Sequence, residues 1–77
     1  MEHYKNLDGD SGVLQYENGS DYIWVVFSDG ARYQYTYGSA GAENIETMKK
    51  LAVAGRGLNS FIMKNPAVRK GFAQKVR

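Results

Sequence analysis

The hydrophobic positions of the chain change from strand-like to helix-like near residue 40. Residues 11–17 carry three bulky side chains, and residues 22–27 (Tyr-Ile-Trp-Val-Val-Phe) are entirely aromatic or β-branched, which is typical of strands. Residues 31–37 place a tyrosine at every second position, so these rings share one face of a strand. Turn-forming residues at 18–21 and 28–30 separate the three stretches. The pattern predicts a three-stranded antiparallel β-meander.

The second turn, residues 28–30, decides which side chains share a face of this sheet. A three-residue loop with Gly30 in the left-handed conformation pairs Val25 with Tyr33. One face is then wholly apolar and aromatic: Ile23, Val25, Phe27, Tyr33 and Tyr35. The opposite face carries Tyr22, Trp24, Val26, Arg32, Gln34 and Thr36. A two-residue loop gives no continuous apolar face, and a covering helix needs one, so we prefer the three-residue loop.

Helical spacing of apolar residues begins after a flexible link at residues 38–41. Ser39 is a candidate N-cap for the first helix, and Gly55 is expected to end it. Its apolar face consists of Ile45, Met48, Leu51 and Ala52. A second, shorter helix is marked by Leu58, Phe61 and Ile62. Asn65 and Pro66 suit the start of a third helix, in which Val68, Phe72 and Val76 share a face. The expected fold is therefore α+β, with two or three C-terminal helices packed on one face of the meander.

The length of 77 residues allows one domain. Residues 1–10 have no periodicity and are expected to form a flexible N-terminal arm, with residues 11–77 as a single domain. No apolar run approaches the roughly 20 residues that span a membrane, and the polar N-terminus has no signal-peptide core. We therefore expect a cytoplasmic protein without a membrane partner.

The charges are divided unequally along the chain. Residues 1–46 hold all eight acidic residues and two basic ones, a net charge of −6, whereas residues 47–77 hold eight basic residues and no acid, a net charge of +8. The overall charge of +2 conceals this division. Such asymmetry indicates either a basic surface for polyanions or two complementary surfaces that bind each other.

The residues needed for catalysis are missing from the sequence. The chain has one histidine, His3, and no cysteine, and no serine has a recognisable base and orienting carboxylate. Residues 38–41 are rich in glycine but lack the Lys-Ser/Thr of a phosphate-binding loop. The sequence thus predicts a protein that is not an enzyme and has no cofactor and no metal site.

Several residues combine into a pattern that resembles the KTSC domain, a segment at the C-terminus of some lysyl-tRNA synthetases that also occurs in short stand-alone bacterial and phage proteins. The matching residues are Ile23, Val25, Phe27, Gly30, Tyr33, Tyr35, Gly55, Arg56, Leu58, Asn59 and Ile62. The family's Val-Pro after the Tyr-x-Tyr strand is absent, and Leu58 stands where an aromatic residue is common. The resemblance covers residues 11–65 and implies no catalytic role. It links the chain to RNA-related functions and to a place as an accessory domain of an enzyme.

Candidate contacts for a polyanion come from the basic half of the chain. They are Lys49, Lys50, Arg56, Lys64, Arg69 and Lys70. Arg56 is the sharpest of them, because a guanidinium and bare backbone N–H groups in one glycine-rich turn can hold a phosphate. The alternatives are that Arg56 pairs with a carboxylate of the sheet and that the lysines only solvate a helix. Asn59 is expected to cap the next helix or to bind the backbone of the turn.

The aromatic residues have two possible roles. Tyr33 and Tyr35 face the helices in the preferred register, so core packing is favoured over base stacking. Trp24 lies on the other face near Arg32, an arrangement that suits stacking on a base. Alternatively, the N-terminal arm or another subunit covers Trp24.

Two function hypotheses follow from these residues. The first is a non-catalytic module that binds RNA or single-stranded nucleic acid through its basic helical half. The second is a protein-interaction or self-association module, in which the acidic and basic surfaces pair or Trp24 is buried in a dimer.

Overall fold

The computed structural model of the protein describes residues 1–7 and 12–76, which form one antiparallel sheet and a set of helices. The elements are β1 (Glu2–His3), β2 (Val13–Asn18), β3 (Tyr22–Phe27), β4 (Arg32–Thr36), α1 (Tyr37–Ala40), α2 (Ala42–Ala54), α3 (Leu58–Lys64), α4 (Pro66–Arg69) and β5 (Phe72–Val76). The five strands lie in sequence order, each antiparallel to its neighbour. The α+β class is therefore confirmed, but the described residues form five strands and four helices, and not the predicted three strands and two or three helices. Among the described residues, no helix has the length and apolar character to cross a membrane.

The predicted register of the β3–β4 hairpin is confirmed. Val25 lies opposite Tyr33, and the N–H of Phe27 donates to the carbonyl oxygen of Ala31 at 2.9 Å. Gly30 has φ of 89°, the left-handed conformation that this loop requires. The face expected to be apolar is indeed the buried one, with Val25 fully buried and Tyr35 only 2% exposed.

The helices pack on this apolar face of the sheet. The helical residues in the core are Ala40, Ile45, Met48, Ala52, Leu58, Ile62 and Val68. Trp24 and Val26 are not part of that core or of the side chains packed against it, because they point to the opposite side of β3. One face of the sheet is thus covered by helices and the other carries no helix from the described residues.

The C-terminal segment differs from the prediction. α4 ends at Arg69, and residues 72–76 are a strand that pairs with β4, so the predicted helical face of Val68, Phe72 and Val76 is wrong. Gly71 separates the two elements and lies against the carbonyl oxygens of Ala67 and Ser39. The chain turns there into the vacant edge of β4, because edge N–H and C=O groups are satisfied by a further strand.

The N-terminal residues also differ from the expected loose arm. Glu2–His3 pairs with β2 as an edge strand, and Tyr4 is 6% exposed within the core. The hydroxyl oxygen of Tyr4 accepts a hydrogen bond from the backbone N–H of Leu58 at 3.2 Å. The N–H of Leu7 donates to the carbonyl oxygen of Gly55 at 2.7 Å. Residues 2–7 are thus held by both the sheet and the helices, while residues 8–10 of the expected arm lie outside the described residues.

The helix ends follow local side-chain chemistry. The predicted link at 38–41 is largely a helical turn, α1, and Thr36 is its N-cap, with Ser39 as the reciprocal partner in a capping box. The prediction of Ser39 as an N-cap is wrong, since α2 begins after Gly41. Gly55 ends α2 in the left-handed conformation, as expected. Asn65 caps α4 by accepting the N–H of Ala67 at 3.2 Å, which confirms that prediction.

Candidate functional site

Among the described residues, no basic side chain of the second half forms an ion pair with an acid of the sheet. Between described residues, the one ion pair joins Lys49 to Glu46 at 3.0 Å, and both belong to α2. The remaining candidate cations are exposed: Lys50, Arg56, Lys64, Arg69 and Lys70. The separation of charge along the sequence is therefore kept in the fold.

The two lysines of α2 lie among carboxylates. The ammonium of Lys49 donates to the carbonyl oxygen of Ser20 at 2.9 Å and to Glu46 at 3.0 Å. Hydrogen bonds from the Tyr37 hydroxyl and from Lys49 lower the pKa of Glu46, which holds this carboxylate charged. Lys50 lines a shallow depression together with Glu43 and Glu46. A phosphate here would be repelled by the two glutamates, so this end of α2 is a poor site for a polyanion.

The Arg56 turn is built as a helix cap. Gly55 and Gly57 both have φ of 79°, and the N–H of Gly55 is bonded to the carbonyl oxygens that end α2. The N–H of Leu58 is taken by Tyr4. The turn therefore offers an exposed guanidinium, but two of its N–H groups are already bonded. The side chain of Asn59 makes no hydrogen bond to the described residues, and Gly57, without a side-chain bond, caps α3, so the predicted capping role of Asn59 is wrong.

A groove lies at the other end of the helical layer, between the β3–β4 hairpin and helices α3 and α4. Its volume is about 340 Å³, at the lower end of the range of about 300–1,000 Å³ typical of ligand pockets. We call it the aromatic groove, and its lining residues are Gly12, Phe27, Ser28, Asp29, Tyr33, Tyr35, Ile62, Met63 and Arg69. It combines aromatic rings, two flexible or branched aliphatic side chains and one guanidinium.

Tyr33 is the central ring of the aromatic groove. Its ring is edge-on to Phe27 at 5.3 Å and to Phe72 at 5.1 Å between centroids, and it is stacked on Tyr35 at 6.3 Å. The ammonium of Lys75 lies 5.4 Å from the centroid of the Tyr33 ring, within the range of a cation–π interaction. The groove therefore has a rigid aromatic wall with a cation beside it.

Tyr35 brings a hydroxyl to this groove. The side chain is almost completely buried, yet its hydroxyl has no hydrogen-bond partner among the described residues. The structure has no buried side-chain polar atom without a partner in that part of the chain, so the hydroxyl keeps some access to solvent, and Tyr35 is a lining residue of the groove. Burial, together with the neighbouring Tyr33, raises the pKa of Tyr35, which keeps the hydroxyl protonated. It can both donate and accept a hydrogen bond.

Arg69 supplies the positive charge of the groove. It is exposed in the last turn of α4, and its guanidinium forms no ion pair or hydrogen bond with the described residues. Asp29 also lines the groove, but its carboxylate accepts the N–H of Ala31 at 3.0 Å as part of the hairpin turn. The groove therefore presents a guanidinium whose donors are available to a ligand.

Trp24 lies away from all these cations. It stands on the uncovered face of the sheet, between Glu17 on β2 and Gln34 on β4. Its indole N–H has no hydrogen-bond partner among the described residues and is not a buried unsatisfied group, so it is open to solvent. The candidate residues predicted from the sequence thus divide into separate regions of the surface: the α2 lysines, the Arg56 turn, the α3–α4 end and Trp24.

The sequence did not predict Met63 in the groove, or the two β5 side chains that contact Tyr33 beside it. Phe27 and Tyr33 were expected on the inner face as core residues, but Met63, Phe72 and Lys75 were not predicted to join them. The alternation of Phe72, Gln74 and Val76 with shorter or charged residues was the available strand signal. Among the described residues, no group of histidines and carboxylates is placed to hold a metal ion.

Comparison with known proteins adds no relatives. No family model matches the chain. No curated protein and no solved structure matches it either. The resemblance to the KTSC domain stays a prediction that depends on the motif residues alone.

Proposed function

We propose that the protein is a non-catalytic module that binds single-stranded nucleic acid, in particular RNA, with a base in the aromatic groove and phosphates on the cations around it. The observation that carries this proposal is the Arg69 guanidinium, which has no partner among the described residues and lines the same groove as Tyr33 and Tyr35. Aromatic faces stack on bases of any sequence, and a guanidinium binds phosphate through two parallel hydrogen bonds.

The positive charges near the aromatic groove favour the binding of a polyanion. Lys64 and Lys70 are exposed at the ends of α3 and α4, and Lys75 lies over the Tyr33 ring. The sequence has no acid after residue 46. A nucleic-acid strand that leaves the groove along α4 would meet these cations, which favours fast association and binding that depends on salt.

This proposal narrows the interface expected from the sequence. Lys64, Arg69 and Lys70 remain in it, whereas Lys49 and Lys50 lie beside glutamates. Arg56 belongs to a capping turn, and Trp24 is on the opposite face of the sheet. The interface is thus the α3–α4 end of the basic half and not the whole of it.

We expect Arg69→Ala to weaken binding of a short single-stranded RNA by about tenfold or more, because a charge-assisted hydrogen bond to phosphate contributes about 1.5–3 kcal/mol. Fluorescence anisotropy with a labelled oligonucleotide at several salt concentrations measures both the affinity and the salt dependence. The slope of log affinity against log salt should fall in magnitude by about 0.7 for one lost phosphate contact to a single strand.

Arg56→Ala is the matched control, since it removes the same exposed side chain from a turn outside the groove. We expect its affinity to stay within about twofold of the unsubstituted protein, because no phosphate contact is lost. If Arg56→Ala weakens binding and Arg69→Ala does not, the interface is at the α2–α3 turn and the groove is not used. If no oligonucleotide binds at low salt, the proposed function is wrong.

Tyr35→Phe separates binding from folding. Its hydroxyl has no hydrogen-bond partner among the described residues, so the free energy of unfolding should change by less than about 0.5 kcal/mol. Binding should become about fivefold weaker if the hydroxyl bonds a base edge, since a neutral hydrogen bond contributes about 1 kcal/mol.

The control for Tyr35→Phe is Tyr22→Phe, which removes a hydroxyl from the uncovered face of the sheet, where it donates to Glu17 at 3.3 Å. Urea denaturation and anisotropy measure both quantities for the two variants. Equal affinities for Tyr35→Phe and Tyr22→Phe would show that no base reaches the Tyr35 hydroxyl.

A further inference from the structure

The uncovered face of the sheet carries an apolar stripe that the proposed function does not use. We call it the open face and define it by six side chains: Glu17, Tyr22, Trp24, Val26, Arg32 and Gln34. Tyr22, Trp24 and Val26 follow one another along β3, the middle strand of the five. All three are only partly buried, because no helix of the described residues covers this face. Contiguous apolar surface of this kind marks an interaction site.

Two opposite charges flank this stripe on its two sides. Glu17 belongs to β2 and lies directly opposite Trp24. Arg32 belongs to β4 and lies directly opposite Val26. Arg32 is exposed and forms no ion pair with the described residues, and Glu17 only accepts the hydroxyl of Tyr22 at 3.3 Å. The open face therefore has a negative flank, an apolar centre and a positive flank.

We propose that the open face binds the open face of a second copy of this chain, with the two Trp24 side chains at the centre. Glu17 is level with Trp24, and Arg32 is level with Val26. A two-fold axis that crosses β3 obliquely between Trp24 and Val26 therefore places Glu17 of each copy opposite Arg32 of the other, and both charge pairs form at once. An interface of this kind is isologous, as in most homodimers.

A second copy fits the open face better than a nucleic acid does. Glu17 stands beside the one tryptophan that could stack on a base, and a carboxylate there repels phosphate. The same carboxylate is an attraction when the opposing surface brings an arginine.

The size of the open face sets the expected strength of the dimer. The open face is part of one side of the sheet, whose strands are about 4.8 Å apart and rise about 3.3 Å per residue, so that the whole side covers at most roughly 400 Å² per copy. The total of roughly 800 Å² is below the roughly 1,200–2,000 Å² of stable interfaces. We therefore expect a transient dimer that forms at high protein concentration and leaves the aromatic grooves on the outer sides.

Sedimentation equilibrium and tryptophan fluorescence test this dimer on the full chain. The mean mass should rise from monomer towards dimer as the protein concentration increases to about 1 mM, in the range of weak association. Trp24 is the sole tryptophan, so its emission should shift to shorter wavelength and resist quenching by acrylamide over the same range. A mass that stays monomeric throughout would overturn the proposal.

Reversing the charges of Glu17 and Arg32 tests whether these two side chains meet across the dimer interface. Glu17→Arg alone and Arg32→Glu alone should each abolish the rise in mass, because like charges then face each other across the interface. An equimolar mixture of the two variants should restore it, since opposite charges face each other again. Lys50→Glu is the control, a charge reversal on the helical side that should leave the dimer unchanged.

The outcomes that contradict the dimer are equally specific. If the mixture does not restore association, the two-fold arrangement of Glu17 against Arg32 is wrong. If Glu17→Arg strengthens RNA binding and RNA quenches Trp24, the open face is a nucleic-acid surface and not a dimer interface. Thermal unfolding of both variants, at solvent-accessible positions, should give midpoints close to that of the unsubstituted protein.

Discussion

Gly71→Ala will destabilise the domain by about 3 kcal/mol or more, or will prevent it from folding. A Cβ at this position would overlap the carbonyl oxygen of Ala67 and lie 2.7 Å from that of Ser39. Both obstacles are backbone atoms, so neither can swing aside as a flexible side chain does. Overpacking of this kind commonly costs about 1–3 kcal/mol and sometimes more, and a clash with two backbone segments belongs at the upper end.

Gly38→Ala is the matched control for this substitution. Gly38 lies within α1, and the nearest atom to its Cβ position is the Thr36 hydroxyl at 3.9 Å. Alanine there should be neutral or stabilise the protein by about 0.5–1 kcal/mol, because it restricts the unfolded chain. Urea denaturation of both variants gives the two free energies of unfolding. A Gly71→Ala variant with an unchanged midpoint would contradict the close approach of the α4–β5 connection to α1.

Tyr4→Ala is the second substitution for which we expect a large effect, a loss of about 3–5 kcal/mol of stability. Tyr4 is buried in the core cluster, and truncation of a buried aromatic side chain leaves a cavity. Tyr4→Phe keeps the ring but leaves the N–H of Leu58 without its acceptor, at a cost of about 1–3 kcal/mol. The difference between these two variants separates the contribution of the ring from that of the hydrogen bond.

Leu7→Ala tests whether this effect belongs to Tyr4 or to any N-terminal apolar residue. Leu7 is 57% exposed, so its truncation should change stability by less than about 0.5 kcal/mol. The same denaturation experiment covers all three variants. Equal losses for Tyr4→Ala and Leu7→Ala would mean that Tyr4 does not belong to the core.

The parts of the fold that local chemistry decides were predictable from the sequence. The loop at residues 28–30 admits a glycine in the left-handed conformation, and that one residue fixes the register of Val25 against Tyr33. The end of α2 at Gly55 and the start of α4 at Asn65 depend on caps, whose side chains or conformations are visible within four residues. At these positions the conformation that the local residues favour is the one found in the folded protein.

β5 forms only because it pairs with β4, which is distant in sequence. The local spacing of its apolar residues therefore predicted a helix instead. Val68, Phe72 and Val76 are spaced four apart, as on a helix, while Phe72, Gln74 and Val76 also fit a strand. The choice is made by the vacant edge of β4 and by the close approach at Gly71. Neither can be read from the segment itself, so tertiary structure overrides its helical spacing.

The N-terminal strand and the aromatic groove were missed for a related reason. A strand of two residues is too short to show periodicity, and the hydroxyl of Tyr4 is bonded to Leu58 far along the chain. The groove collects side chains from β3, β4, α3 and α4, so no sequence spacing reveals it. Arg69 was predicted as a cation, but its position beside Tyr33 required the fold.

The pairing of β4 with β5 also bears on the order in which the strand pairs form during folding. Tyr33 and Lys75 are partners across this pair although more than half of the chain lies between them, whereas the β2–β3 and β3–β4 hairpins close over short turns. Contacts so distant in sequence carry the largest loop-closure entropy and form late in folding. We therefore expect the chain to form its meander early in folding and to bring Phe72 and Lys75 beside Tyr33 only late.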